Sequence, residues 1–215
     1  MNAVDNNIWT KLQSEAEDYI KSNEDYKDFL ESLVLSNDDF ISSISLKLSR
    51  DLSQAWSFSE KKLFPSILQA LNTNDVSKAI EKDLNAVISR DPATNTILET
   101  FLFSKGFSAL QAYRASNYHW NKETLLSYFL QSRTSQVYGV DIHPAATIGK
   151  GIMLDHASGI VIGETSVIED DVSIFQGVTL GGTGKEIGDR HPKVRKGVLI
   201  LSLIHISEPT RPTDI

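Results

Sequence analysis

Two patterns of apolar positions divide the chain. Up to about residue 138, apolar residues recur at the three- and four-residue spacing that predicts amphipathic helices. The first such segment, NIWTKLQSEAEDYIKS, places four of them on one helical face: Ile8, Leu12, Ala16 and Ile20. The segments DDFISSISLKLSRDL, ILETFLFSKGFSALQAYRASNYHW and KETLLSYFLQSRTSQVY follow the same pattern. A further helix, in NDVSKAIEKDLNAVISRDP, is predicted to end near Asp91, because Pro92 disfavours helical geometry at the residue before it.

From Val140 onward the apolar period becomes six. The aliphatic residues that keep this period, with a two-residue offset after the third, are Ile142, Ile148, Leu154, Ile162, Ile168, Ile174 and Leu180. Val194 and Ile200 are again six apart. Neither a helix nor a single strand repeats every six residues, whereas a hexapeptide solenoid does, with the repeated aliphatic residue inside a three-sided coil. The pattern therefore predicts a parallel β-helix.

The hexads are interrupted once and then end. The polar segment GTGKEIGDRHPKVRK predicts a loop that leaves the coil, and solenoid insertions often lie on the binding face. After Ile200, LSLIHISEPTRPTDI keeps no hexad and resembles translated sequencing-adapter DNA, so we leave it out of the fold prediction. We expect an α+β fold class: a helical oligomerisation domain over residues 1–138, a truncated β-helix over 139–200 and a non-native tail over 201–215.

Composition narrows the function classes. The 215 residues carry a net charge of -7, which argues against general binding of nucleic acid or anionic membranes. There are no cysteines, so disulfides, thiolate metal sites and a cysteine nucleophile are excluded. We see no secretory signal and no apolar run of the ~20 residues that a membrane helix needs. These features predict a cytoplasmic protein.

Titratable side chains cluster in five short stretches. These stretches are SRDPA with Asp91, VDIHPAA with Asp141 and His143, LDHASG with Asp155 and His156, IGET with Glu164, and DRHPK with Asp189, Arg190 and His191. Asp141 lies fifteen residues before His156, and one coil of three hexads takes about eighteen. The two residues are therefore predicted to lie on adjacent coils, where the carboxylate could hold the Nδ1–H of the imidazole. That arrangement makes a general base with an orienting partner.

The remaining charged residues suggest what such a base would act on. Arg190 and His191 lie in the loop that could fold over the same edge, and arginine grips a carboxylate through two parallel hydrogen bonds. Asp91 and Asp155 are candidates for binding an ammonium group. Together they predict a substrate with a carboxylate, an amine and an ionisable hydroxyl, such as the amino acid serine.

These stretches resemble one family. The segments SRDPA, KGFSALQAYR, VDIHPAATIGKGIMLDHASGIVIGETSVIEDDVSIFQGVTLGGTGK and GDRHPKVRKGVLI are similar to those of bacterial-type serine O-acetyltransferases, which catalyse the first committed step of cysteine biosynthesis. The resemblance runs from near the N-terminus to Ile200. It implies a left-handed β-helix, an exception to the usual right-handed crossover. It also implies trimers, which the helical domains pair into hexamers.

The resemblance implies a mechanism without a metal or a permanently bound cofactor, with acetyl-CoA as co-substrate. His156 would take the proton from the serine hydroxyl, Asp141 would orient His156, and the serine oxygen would attack the thioester directly. The implied ligands of serine are Arg190 and His191 for its carboxylate and Asp91 and Asp155 for its amine. Part of the acetyl-CoA wall, where glycines let the pantetheine arm approach the backbone, would be formed by Gly181, Gly182, Thr183 and Gly184.

The resemblance also bears on regulation and on the end of the chain. L-Cysteine is implied as a feedback inhibitor that occupies the serine pocket. Many members end in a tail whose terminal isoleucine docks into O-acetylserine sulfhydrylase. Here the later coils and that tail do not follow Ile200, so we expect an incomplete acetyl-CoA wall and no binding to the sulfhydrylase. Ile215 belongs to the adapter-like segment and is not interpreted as the docking residue.

Three alternatives stay open on the sequence. A hexapeptide acetyltransferase could use homoserine or a sugar as acceptor. A hexapeptide carbonic anhydrase could hold a metal on His143, His156 and His191, although Asp neighbours two of them and Arg190 is an awkward neighbour for a cation. A non-catalytic solenoid could act only as an oligomeric scaffold.

Overall fold

Helices precede short parallel strands along the chain. The computed structural model describes residues 6–54, 57–182, 188–202 and 205–207. Within these ranges the α-helices are α1 Asn6–Ser22, α2 Lys27–Leu30, α3 Phe40–Leu52, α4 Glu60–Leu71, α5 Asn74–Arg90, α6 Ile97–Phe103, α7 Lys105–His119 and α8 Thr124–Tyr138. A 3₁₀ turn, Glu24–Tyr26, and a π-helical turn, Glu31–Leu35, flank α2. No helix in the described ranges is long and apolar enough to cross a membrane.

Local capping explains several helix ends. The Asp39 carboxylate accepts a hydrogen bond from Ser42 N at 2.7 Å and caps α3. At α6, Thr96 and Glu99 form a reciprocal capping box. Helix α5 ends at Arg90, so the predicted end near Asp91 is confirmed.

One segment predicted as a single helix is two. Helices α6 and α7 are separated at Ser104, whose side chain accepts the N–H of Phe107 and so caps α7. The first turn of α7 packs directly on the coil: a Cβ added to Gly106 would lie 1.9 Å from the carbonyl oxygen of Leu154. This tertiary contact sets the direction of α7 and has no signature in the helical periodicity.

The second part of the chain is a three-sided parallel coil. Its strands are β1 Val140–Ile142, β2 Thr147–Ile148, β3 Met153–Asp155, β4 Ile160–Ile162, β5 Val167–Ile168, β6 Ser173–Phe175, β7 Thr179–Gly181, β8 Lys193–Val194, β9 Leu199–Ile200 and β10 His205–Ser207. They form three parallel sheets in the orders β1-β4-β7-β10, β2-β5-β8 and β3-β6-β9. The first sheet stacks Ile142, Ile162 and Leu180, which are buried inside the coil, as the hexads predict.

Two coils depart from the eighteen-residue repeat. The first takes twenty residues, since Ile142 pairs with Ile162 and Leu154 with Ile174. The extra length lies at the corner after β3, where His156 and Ala157 both have positive φ, 53° and 59°. The loop after β7 lengthens a later coil, because Ile168 pairs with Val194, twenty-six residues on.

The segment that the sequence analysis left out of the fold contributes a strand. His205–Ser207 pairs in parallel with Thr179–Gly181 and extends the first sheet. Residues 203–204 and 208–215 lie outside the described ranges. The foreign origin of this segment stays a prediction.

The two parts share one buried core. One cluster of apolar residues from α1 to α8 and from the coil runs from Ile8 to Ile200, and a small second cluster joins α5 to β3. The change from helix to strand falls at Gly139, which ends α8 in the left-handed conformation with φ 70°. The helices α5 and α7 pack against β3, and α8 packs against β1, so the helical part contacts the first strands of two sheets.

Candidate active site

The corner after β3 opens into a cavity of about 790 Å³ between the helices and the coil. Its walls come from the end of α5, the first turn of α7, β3 and β6. The charged and aromatic residues that line it include Arg90, Asp91, Lys105, Asp155, His156 and Phe175. Three predicted site residues, Asp91, Asp155 and His156, therefore meet in one cavity.

Each of these three side chains has a defined setting. Both oxygens of the Asp91 carboxylate are engaged, one by Ala93 N at 2.8 Å and the other by the Thr94 hydroxyl at 2.7 Å, which fixes its direction beyond the end of α5. The Asp155 carboxylate is half-buried and lies 3.9 Å from His156 Nε2. The His156 side chain is 71% exposed, so its imidazole is accessible to a small molecule in the cavity.

Arg190 and His191 lie at a different edge, between the first and second sheets. His191 is 7% exposed and its ring packs on Gly163, where an added Cβ would lie 1.9 Å from its Cδ2. His191 Nδ1 accepts a hydrogen bond from Thr165 N at 3.2 Å and lies 2.9 Å from the Thr165 hydroxyl oxygen. Nδ1 is therefore unprotonated, and Nε2 carries the proton. Burial lowers the pKa of His191, and the Arg190 charge lowers it further.

The Thr165 hydroxyl organises this edge. Its oxygen accepts the backbone N–H groups of Arg190 at 3.0 Å and of His191 at 3.1 Å. The Arg190 guanidinium donates to Glu164 at 2.7 Å and to the Gly188 carbonyl at 3.2 Å, and its hydrogen bond holds the pKa of Glu164 below the usual range. The Arg190 guanidinium therefore already has a carboxylate partner, Glu164.

His143 belongs to the same edge as a structural residue. Its Nδ1 accepts the backbone N–H of Ala145 at 3.1 Å, and its ring lies edge-on to Trp120 at 5.1 Å. Burial lowers the pKa of His143, and the Glu164 and Asp141 charges oppose that effect. Among the described residues, no group of three or more histidine, aspartate or glutamate side chains is arranged to hold a metal ion. The described part of one chain therefore does not bring His143, His156 and His191 together.

The predicted contact between Asp141 and His156 is not made within one chain. The Asp141 carboxylate accepts a hydrogen bond from Gln131 of α8 at 2.7 Å, on the outer face of the first sheet. In register it stands opposite Val161, not below the His156 corner. The physical reason is the length of the first coil, which takes twenty residues. Its two extra residues lie at the corner after β3 and carry His156 away from the strand that contains Asp141.

The first sheet separates the two groups of residues. The His156 corner precedes β4, and the Gly163 corner follows it. A strand rises about 3.3 Å per residue, so the four steps from Gly159 to Gly163 span roughly 13 Å. Within a single chain, Arg190 and His191 therefore lie beyond the reach of a small substrate held at His156.

The predicted acetyl-CoA wall is described in part. Gly181 ends β7, and Gly182 follows it. A Cβ added to Gly182 would lie 2.8 Å from the carbonyl oxygen of Arg190, so this glycine permits a close approach of the loop backbone. Thr183 and Gly184 lie outside the described residues. The role of these four positions towards acetyl-CoA stays a prediction.

The sequence reasoning missed the residues that hold the candidate side chains. Gly163 and Thr165 flank Glu164 in the IGET stretch, yet their partner His191 is twenty-six residues from Thr165. That separation is one coil lengthened by the loop. The sequence alone does not show how many of these residues leave the coil and how many remain in it. Lys105 and Gly106 belong to a segment with ordinary helical periodicity, although both contact the coil.

A three-sided coil of short parallel strands is the architecture of hexapeptide-repeat proteins, the class that includes the hexapeptide acyltransferases. The family model described as "Serine acetyltransferase, N-terminal" matches residues 8–112. The chain is 48% identical over 198 residues to the serine acetyltransferase of Buchnera aphidicola subsp. Acyrthosiphon pisum, covering 90% of this chain and 71% of that protein. The chain belongs to the serine acetyltransferase family.

Solved structures agree with this assignment. Soybean serine acetyltransferase complexed with serine superposes with a TM-score of 0.89 at 40% identity, over 93% of this chain and 83% of that one. The serine acetyltransferase of Brucella abortus strain S19 in complex with coenzyme A gives 0.89 at 38% identity, over 92% and 80%. The predicted fold class is confirmed, with a left-handed β-helix after the helices. The predicted activity, acetyl transfer from acetyl-CoA to serine, is confirmed too.

Proposed function

We propose that the acetylation of L-serine takes place in a site that two neighbouring copies of the chain complete. One copy supplies Asp91, Asp155 and His156, and the next supplies Arg190 and His191. The observation that carries the proposal is the separation of these groups by a whole sheet, while one amino acid spans only about 4 Å of backbone. A trimer, which the family resemblance implies, would place one edge of a coil against another.

The outer face of the first sheet suits such a neighbour. Asp141, Val161 and Thr179 point outward in register on adjacent coils, and Val161 is 38% exposed. Covering the exposed side chain of Val161 would remove apolar surface from water, which is favourable. Covering this face would bring Asp141 to the His156 edge of the adjacent copy, where it would orient the imidazole by accepting its Nδ1–H. Gln131 would then lose its hydrogen bond to the Asp141 carboxylate or share that carboxylate with the imidazole.

The proposed reaction needs one base and no enzyme nucleophile. Neutral His156 Nε2 accepts the proton of the serine hydroxyl as the oxygen attacks the thioester carbon of acetyl-CoA. The tetrahedral intermediate then expels the coenzyme A sulfur, and the protonated His156 returns the proton to that sulfur. One C–O bond forms and one C–S bond breaks. His156 is neutral again at the end of the reaction. General-base catalysis of this kind contributes ~10²–10⁴-fold.

The charged residues position serine for this attack. The fixed carboxylate of Asp91 and the half-buried Asp155 would bind the ammonium group. Arg190 would bind the carboxylate through a paired hydrogen bond, and His191 would donate its Nε2–H to it. L-Cysteine carries the same ammonium and carboxylate, so we propose that it competes for the same site and acts as a feedback inhibitor.

Mixing two inactive variants tests the shared site. His156→Ala removes the base from one half-site, and Arg190→Ala removes the carboxylate ligand from the other. At a serine concentration well below the KM of the unmodified enzyme, we expect each variant alone to have almost no activity. Refolded together in equal amounts, they should recover roughly a quarter of the normal activity, because a site is intact only where two suitable neighbours meet.

The matched control mixes Arg190→Ala with His191→Ala, which damage the same half-site. That mixture should show no activity above that of its two components, since no interface receives two intact halves. If native mass spectrometry shows mixed oligomers of His156→Ala and Arg190→Ala while activity stays absent, the two groups act within one chain and the shared site is wrong.

A further inference from the structure

We infer that the first turn of α7 positions the His156 imidazole, with Lys105 and Gly106 acting on the corner after β3. The inference rests on the proposed role of His156 as the base. Neither residue is proposed to contact the reacting atoms, so both are positioning residues. The helical part of the chain would then have a direct effect on the geometry of a base that lies in the coil.

The corner needs outside support because its backbone is strained. His156 and Ala157 are consecutive residues with positive φ, 53° and 59°, and neither is glycine. Left-handed geometry is unfavourable for such residues, because it brings Cβ close to the following carbonyl oxygen. Three-residue turns close the corner, with Ala157 N donating to the Asp155 carbonyl and Ser158 N to the His156 carbonyl. Backbone strain of this kind persists only where the surrounding structure fixes it.

Lys105 supports the far side of the corner. Its ammonium group donates a hydrogen bond to the Ser158 hydroxyl, two residues after His156. The backbone of Ser158 is also fixed, because its carbonyl accepts Gly177 N from the next coil at 2.9 Å. Lys105 lines the same cavity as His156, so this contact forms part of the cavity wall.

Gly106 supports the near side of the corner. Its Cα packs so closely on β3 that an added Cβ would lie 1.9 Å from the Leu154 carbonyl oxygen and 2.9 Å from the Leu154 carbonyl carbon. Both atoms belong to the backbone, which cannot turn aside as a flexible side chain could. Leu154 precedes His156 by two residues. The corner is therefore held on both sides by consecutive residues of one helical turn.

The geometry has a mechanistic consequence. The His156 side chain is 71% exposed within one chain, so the place of its imidazole depends on the backbone that carries it, whichever group accepts its Nδ1–H. A misplacement of about 1 Å at a reacting group costs on the order of a hundredfold in rate. Loosening the corner should therefore slow the chemical step while serine still binds through its carboxylate and ammonium groups.

A double-mutant cycle tests whether Lys105 acts through Ser158. We expect Lys105→Met and Ser158→Ala each to lower kcat by roughly tenfold or more, with the KM for serine nearly unchanged. The double variant should be no slower than the slower single variant, because both changes remove the same hydrogen bond. Lys105→Arg, which keeps a donor, should recover most of the rate. Lys78→Met, on the exposed face of α5, is the matched control and should leave kcat unchanged.

Three results would overturn the inference. The first is a normal kcat in both single variants. The second is multiplicative losses in the double variant. The third is a raised KM for serine with an unchanged kcat, which would make Lys105 a substrate ligand.

The NMR signal of the His156 imidazole separates this inference from the proposed function. It should shift in Lys105→Met and Ser158→Ala, whatever His156 does in catalysis. If it shifts while His156→Ala remains active, the base assignment fails and the contact between helix and corner stands. If it does not shift in either variant, the positioning itself is wrong.

Discussion

Asp83 and Arg114 form a buried ion pair where the helices meet the coil. Arg114 donates from Nη2 and Nε to one oxygen of Asp83, at 2.6 and 2.9 Å, and the other oxygen accepts Ile152 N at 3.0 Å. Arg114 also donates to the Gly149 carbonyl at 2.8 Å. Burial raises the pKa of Asp83, and the charge and hydrogen bonds of Arg114 oppose this. Two side chains thus tie α5 and α7 to the backbone that leads into β3.

Breaking this pair should destabilise the whole chain. We expect Asp83→Ala to lower the free energy of unfolding by about 3–5 kcal/mol, because it leaves the Arg114 charge buried without a partner. The double variant Asp83→Leu with Arg114→Met should recover much of that loss, since no charge remains to be paired. Urea unfolding at constant protein concentration measures both. Equal losses in the single and double variants would contradict the ion-pair explanation.

The sequence predicted the coil but not how the helices dock on it. The hexads place Ile142, Ile162 and Leu180 inside the coil because every sixth side chain must point inward in a three-sided turn. Asp83 carried no such signal, as a lone carboxylate in a helix usually faces water. Its partner Arg114 lies thirty-one residues away on another helix, so only the packed structure identifies the pair.

Replacing His156 tests the proposed base. We expect His156→Ala to lower the rate of acetyl transfer by ~10²–10⁴-fold, the usual contribution of a general base, while serine binding is largely kept. The folded state should be little affected, because the imidazole is exposed. Steady-state kinetics and calorimetric binding of serine measure the two effects. Asp141→Asn should cause a smaller loss; a normal rate in His156→Ala would exclude this residue as the base.

The candidate site was predictable in its residue types and not in its geometry. The adjacent Asp155 and His156 were identifiable because they interrupt an otherwise apolar repeat. Counting eighteen residues per coil then failed for Asp141, since the two-residue offset lies at the His156 corner itself. An insertion can be counted in a sequence, but the direction in which it turns a side chain depends on its neighbours.

Buried His191 and half-buried His143 should make the fold sensitive to acid. Burial lowers the pKa of both His143 and His191 in the folded chain below the ordinary value of 6.5. Below 6.5 the unfolded chain therefore binds more protons than the folded chain, and stability falls as the pH is lowered until the folded-state pKa is passed. Urea unfolding above and below pH 6.5 measures this loss. His191→Gln should flatten the profile; an unchanged profile in that variant would rule out its contribution.

The close packing of His191 on Gly163 gives the last test of the serine-carboxylate ligands. In Gly163→Ala the added Cβ would lie 1.9 Å from the imidazole, so the ring must move out of its place beside Thr165. We expect the KM for serine to rise at least about tenfold, the worth of one or two hydrogen bonds to a charged group, with a smaller change for acetyl-CoA. Gly197→Ala is the control, because it has open space and meets only backbone strain at φ 73°. It should cost stability without raising the KM for serine. An equal rise in both variants would show that general loosening, and not displacement of His191, is responsible.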